Sequence, residues 1–173
     1  MKDIIAQGFG ILGFIIIALS FQIKKNSRFF MAQGAGSLMF CLNFILIASY
    51  GGVFFNMCNL LRGLTYMKNP KKKWKLAFNI VSYVLCYAFS LYLDHSMKNI
   101  IITALLCAAL MTMSVFMWIG NPHRIRVVQI CTCSPSWMLY NIFNLCIGGI
   151  LCETFSMISS VVYLLREKRE RGK

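Results

Sequence analysis

The amino-acid sequence predicts an all-α membrane protein, with seven transmembrane helices in a 3-1-3 arrangement of two parallel triple-helix-bundle repeats. Three observations carry that prediction. Of 173 residues, 58% are hydrophobic and 13% charged, with a mean hydropathy of +0.67; soluble domains run at about 45–50% apolar and about 25% charged. Basic residues collect in alternate gaps between apolar runs. The two halves also echo one another at a shift of 96 to 97 residues.

A spanning helix needs about 20 mostly apolar residues, and the chain supplies seven such runs in order. The first, 4–23, has only Lys2 ahead of it and no small-x-small cleavage site before Lys24, so a retained helix is expected rather than a signal peptide. The second and third, 29–50 and 51–67, meet at Gly51-Gly52, a pair that allows a tight turn at a helix C-terminus. The fourth, 76–93, follows a lysine-rich stretch, and the fifth, 99–119, follows the short loop 94–98. The sixth, 127–147, contains Pro135, which has no N–H and frees the carbonyl of Cys131, making it a candidate hinge. The seventh, 148–165, opens on Gly148-Gly149 and ends in a basic tail, 166–173. One integral membrane domain, 1–173, is expected. It divides into a first three-helix repeat (1–67), a linker helix (76–93) and a second three-helix repeat (99–165).

The charges test this count, because Lys and Arg gather on the cytoplasmic side. The formal net charge is +13, and 15 of the 18 basic residues fall in alternate loops and the tail. The first loop has Lys24, Lys25 and Arg28; the third has Lys68, Lys71, Lys72, Lys73 and Lys75; the fifth has Arg124 and Arg126. The tail holds Arg166, Lys168, Arg169, Arg171 and Lys173. This places the N-terminus outside and the C-terminus in the cytoplasm of a cell with an inner membrane. The run around Lys71 to Lys75, with Asn69 and Pro70, acts as a topology determinant with affinity for anionic lipid, and Trp74 sits at the interface. Ala6-x-x-x-Gly10 and Ala32-x-x-x-Gly36 permit close helix approach.

At a shift of 97, Ser37, Leu42, Ile45, Gly51, Gly52 and Tyr66 fall on Ser134, Leu139, Ile142, Gly148, Gly149 and Tyr163. At 96, Ile23, Arg28 and Gln33 fall on Ile119, Arg124 and Gln129. Helices 1–3 and 5–7 then have the same orientation, related by an axis along the membrane normal. The segment from Ser20 through Phe21, Gln22, Ile23, Lys24, Lys25, Asn26 and Ser27 to Arg28 resembles the signature of PQ-loop proteins, with Phe21 where that family has proline. The second copy, from Trp118 to Arg124, keeps the basic loop without the Pro-Gln pair. Over most of its length the chain is similar to the YgjV-like family of small bacterial inner-membrane proteins. The 3-1-3 order resembles that of SWEET sugar transporters, which implies a solute path between the two bundles.

Polar side chains in hydrocarbon normally face other helices or a wet cavity. On the third helix Asn56, Asn59, Gly63 and Tyr66 form one stripe, and on the seventh the equivalent stripe is Glu153, Ser156, Ser160 and Tyr163. Both start near the outer turn, with Asn59 and Ser156 roughly 12 Å below it. On the second helix Gln33, Ser37, Phe40 and Phe44 share a side, and Asn43 points roughly 80° away from Gln33. On the sixth, Gln129, Cys133, Trp137, Tyr140 and Asn144 share a side, with Asn141 beside them. Trp137 offers a flat apolar face and an indole N–H to a sugar or nucleobase. SWEET-type sites resemble the pairing of Trp137 with Asn59; Phe40 and Ser156 occupy the symmetry-related places. Asn59, Trp137 and Ser156 are therefore expected at a central substrate site, Asn56 and Glu153 at its outer mouth, and Gln33 and Gln129 at the cytoplasmic gate. Against this stand ordinary roles: interhelical hydrogen bonds for the amides and hydroxyls, packing or interface anchoring for Trp137, hydration at the outer turn for Glu153, and snorkelling for Arg62.

The eight cysteines all fall within expected helices, where they act as small apolar residues, and no metal site or cofactor is expected. His95 and His123 lie in loops on opposite sides, and no nucleophile, carboxylate pair or phosphate-binding loop points to an enzyme. The expected function is a facilitator moving a small polar solute by alternating access, with a non-transporting receptor or scaffold as the alternative. Expected partners are membrane lipid and that solute, with homo-oligomerisation open and no nucleic acid.

Overall fold

The structure, a computed structural model, describes residues 2–23, 26–67 and 71–171, and only the backbone of 26, 27 and 30. Lys24, Lys25, Lys68, Asn69, Pro70 and Lys173, on which part of the charge pattern rests, lie outside the described residues, as do the side chains of Asn26 and Ser27. Among the described residues every regular element is helical. These are α1 (Lys2–Ser20), α2 (Asn26–Leu46), α3 (Tyr50–Tyr66), α4 (Lys73–Leu93), α5 (Met97–Ile119), α6 (Pro122–Val128), α7 (Ser134–Phe143) and α8 (Ile147–Arg171). A π turn, Gln129–Cys133, joins α6 to α7 into one helical run, so the seven expected helices are present. Helices α1, α4, α5 and α8 are long and apolar enough to cross a membrane, at 19, 21, 23 and 25 residues.

Local chemistry sets the helix ends. Ser96 caps α5 by accepting from the Asn99 N–H, and Gly120 ends it in the left-handed region at φ 75°. Asn121 then caps α6 through the Arg124 N–H, with Pro122 in the first turn. The sixth helical run therefore starts at Pro122 rather than 127, and Arg124 and Arg126 are helical residues rather than loop residues. The basic tail is also helical as far as Arg171, where Glu167 bonds His123 at 2.8 Å and Arg171 at 2.5 Å. The His123 bond holds the Glu167 carboxyl below the usual carboxylate range.

The two Gly-Gly pairs do not make the turns. Ala48 and Leu145 hold the left-handed positions, at φ 56° and 52°, while Gly51-Gly52 and Gly148-Gly149 lie in the first turns of α3 and α8. The two turns match bond for bond. Ser49 N–H donates to Phe44 O and Cys146 N–H to Asn141 O, both at 2.9 Å; Ala48 N–H donates to Ile45 O and Leu145 N–H to Ile142 O, both at 3.1 Å. The glycines serve close approach instead. A Cβ on Gly52 would meet the Phe44 ring, one on Gly149 would meet the Asn141 side chain, and one on Gly148 would enter the backbone of Gly10. Cys146 thus lies in a turn, contrary to the expectation of eight helical cysteines.

Ser134 N–H bonds Gln129 O across five residues, which makes the π turn immediately ahead of Pro135. The wider turn relieves the clash between a proline ring and the preceding turn's carbonyl.

Consecutive helices pack in order from α1 to α5, then α5 to α7 and α7 to α8, and α8 returns to α1. α3 also touches α5. The exterior carries large apolar side chains such as Ile4, Leu85 and Ile158, while Ser20, Asn43, Thr103, Ser114, Ser134 and Ser160 are buried with Tyr83, Phe55 and Leu106. That distribution suits lipid as the outer solvent, since small and polar groups join helices where apolar contact alone gives no driving force. Both small-residue spacings fall on helix contacts: Ala6 and Gly10 are buried on α1, and a Cβ on Gly36 would strike Ile17.

One end of the bundle is tied by polar contacts. Asn43 donates to Ala6 O at 2.6 Å and accepts from the Cys146 thiol at 3.0 Å. Gln7 bonds Leu145 O at 2.7 Å and the Ile147 N–H at 3.0 Å. Ser49 and Tyr140 share a hydroxyl–hydroxyl bond of 2.7 Å.

Candidate functional site

A cavity of about 430 Å³ lies within the bundle. Helices α1, α2, α3, α5, α6, α7 and α8 all contribute to its walls, while α4 packs outside α3 and α5 and lines none of it. Its lining begins at Phe21, Pro122 and Arg126, at the end bearing the basic residues, and stops at Asn56, Asn141 and Gly149, beneath the tied end.

All seven residues expected at a binding site or gate, namely Asn59, Trp137, Ser156, Asn56, Glu153, Gln33 and Gln129, line this one cavity. The α8 stripe contributes all four members. The α3 stripe contributes Asn56, Asn59 and Gly63, whereas Tyr66 turns aside to donate to Ser114 O at 3.1 Å. Asn43 faces away toward α1, as its helical phase requires, and Phe44 continues the cavity side of α2. Pro135, the candidate hinge, is not in the lining.

Each side chain is held in a definite way. Asn59 Oδ1 accepts from Tyr83 OH at 2.8 Å, and its amide N–H groups have no acceptor among the described residues. Asn56 Nδ2 bonds back to Gly52 O at 2.9 Å. Trp137 is buried, stacked on Phe44 at 6.4 Å and edge-on to Tyr140 at 5.7 Å. Gln33 donates to Ser20 Oγ at 2.6 Å, joining α2 to α1. Gln129 donates across the π turn to Ser134 Oγ at 2.9 Å.

Two expectations need correction. Glu153 is not a hydrated group at the outer turn: it faces the cavity, and its Oε2 is buried without a partner among the described residues. Arg62 does not snorkel outward. It lies 5.9 Å from the Tyr83 ring centroid, lines the cavity, and has a buried Nη1 with no hydrogen-bond partner among the described residues. Residues absent from the expected site also line it. Arg126 stands over Phe21 and Tyr163 at 5.8 and 5.3 Å, and Asn141 Oδ1 and Ser160 Oγ are buried and unpartnered among the described residues. Arg126 had a sequence signal in Asn121-Pro122, a helix start that carries it into the bundle. Among the described residues no cluster of His, Cys, Asp or Glu could hold a metal ion.

The architecture defines a class: a helical membrane protein with an internal cavity, largely apolar, that carries polar side chains from both halves of the chain. The chain belongs to the bacterial inner membrane protein family Imp-YgjV, which it matches over residues 4–171. No curated protein and no solved structure gives a significant match.

Proposed function

We propose that this protein is a facilitator that moves a small polar solute across the membrane by alternating access between two triple-helix bundles related as in PQ-loop and SWEET-type proteins. The observation that carries the reading is the cavity itself, which gathers Asn59, Trp137, Ser156, Asn56, Glu153, Gln33 and Gln129 from both halves of the chain. The matched turns at Ala48 and Leu145 support a duplicated unit, as does the place of α4 outside the cavity wall. With the basic end in the cytoplasm, the lining runs toward that side, and the bonds of Ser49 to Tyr140 and of Gln7 to the 145–147 turn close the other. The π turn ahead of Pro135 supplies a bending point in the 122–143 run.

The test is a thermal-shift screen of detergent-purified protein against sugars, nucleosides, amino acids and organic acids, with Trp137→Ala and Asn59→Ala in parallel. A ligand at about 100 times its dissociation constant stabilises by about 2.7 kcal/mol. A shift lost in both variants, followed by uptake into liposomes, supports the carrier. Binding without uptake assigns a receptor instead. If no solute shifts the parent and both variants match its stability, the binding reading fails.

A further inference from the structure

Among the described residues two arginines line the cavity and neither has a counter-ion. Among the described residues the ion pairs are His123 with Glu167 and Arg171 with Glu167, so neither Arg62 nor Arg126 is paired. Asp94 is engaged by Ser96 in the α4–α5 turn, and Glu153 lies beside Ser134. Tyr163, against Arg126, and Glu153 are ten residues apart on α8, roughly 15 Å along its axis. Arg126 and Glu153 therefore sit toward opposite ends of one space.

Both guanidinium groups are placed by ring faces: Arg62 by Tyr83, and Arg126 by Phe21 and Tyr163. A ring face attracts the cation but uses none of its five N–H donors. Arg62 Nη1 is buried with no acceptor among the described residues. A desolvated cation with unused donors is unfavourable in isolation and is relieved by an oxyanion, whose oxygens accept the planar N–H fork in pairs.

We infer that the solute is a small organic oxyanion whose carboxylate or phosphate group is bound by Arg62 and Arg126, with the remainder of the molecule directed toward Asn59 and Trp137. The inference rests on the cavity being a solute site. Glu153, at the far end, disfavours the reverse orientation of the same ligand.

The experiment uses the full chain in detergent. Lactate, succinate, inorganic phosphate and glycerol 3-phosphate are compared with glucose and uridine, on the parent and on Arg62→Gln, Arg126→Gln and Trp137→Ala. An oxyanion raises the melting temperature of the parent, and each Arg→Gln change weakens its binding about 30-fold or more. The unliganded Arg62→Gln protein is at least as stable as the parent, which separates lost binding from lost folding. Whether carboxylates or phosphates act assigns the group. An oxyanion shift that is equal in parent and both Arg→Gln variants reflects the basic surface and overturns the inference. So does displacement of the oxyanion by phosphatidylglycerol in mixed micelles, which would give the pair to lipid headgroups. A neutral solute that binds the parent, retains its affinity in both Arg→Gln variants and loses it in Trp137→Ala overturns the oxyanion class while leaving the cavity a solute site. A panel without any shift overturns both.

Discussion

Replacing Gly148 by alanine tests whether α1 and α8 are joined by direct backbone contact. The new Cβ would fall on the carbonyl of Gly10 and 2.6 Å from the amide nitrogen of Ile11. Ordinary contact lies at about 3.5–4.0 Å, so the deficit to that nitrogen alone is about 1 Å. All three atoms are backbone, so no side-chain rotation absorbs it and the helices must separate. Overpacking of this kind costs about 1–3 kcal/mol, against a gain of up to about 1 kcal/mol for Ala over Gly in a helix. The steric cost offsets that gain, for a net loss of up to about 2 kcal/mol. Gly8 is the control, since a Cβ there has nothing within 4 Å and only the gain applies. Unfolding of both variants in mixed dodecyl maltoside and SDS micelles, followed by circular dichroism, should separate them by the steric cost alone, about 1–3 kcal/mol. Equal stability, or a more stable Gly148→Ala, would refute the backbone contact.

Ala48→Gly removes a left-handed alanine and should stabilise the same transition by about 1 kcal/mol, whereas a loss would mean that the turn is not left-handed there. Tyr140→Phe leaves the buried Ser49 hydroxyl without its partner and should cost about 1–3 kcal/mol in thermal unfolding, so an unchanged melting curve counts against that bond. The Ser96 backbone N–H, 2.9 Å from Asp94 Oδ1, holds the Asp94 carboxyl below its ordinary value. Its folded-state value lies under its unfolded one, so its contribution is complete above the unfolded value and is lost as pH falls through the folded one. Carbon-detected NMR titration should find Asp94 more acidic than a model aspartate, and an ordinary value would exclude the bond.

The helices were legible because lipid demands long apolar runs, and no buried soluble core competes for that pattern. Legibility failed where a local signal met a global one. Asn121-Pro122 is a plain helix start, but Arg124 and Arg126 suggested a loop, and the error removed Arg126 from the site. Gly51-Gly52 and Gly148-Gly149 marked the right places for the wrong reason, since glycine there answers to Phe44, Asn141 and Gly10, none adjacent in sequence. The cavity side of each helix follows from helical phase, which is why Asn59, Trp137 and Ser156 line the cavity as expected. The inward turn of Arg62 was not, because a long side chain reaches either way and only Tyr83, on a different helix, decides it.

The contact of Gln7 with Leu145 and Ile147 spans 138 and 140 residues of chain. A ribosome working at about 5–20 residues per second needs roughly 7–28 s to cover that distance. During that interval α2 already covers part of α1, with Asn43 bonded to Ala6 O, while the Gly10 backbone that meets Gly148 stays uncovered. The first helix made is the last to be sealed, and a nascent chain stopped anywhere before α8 exposes that face to lipid and to quality-control proteases.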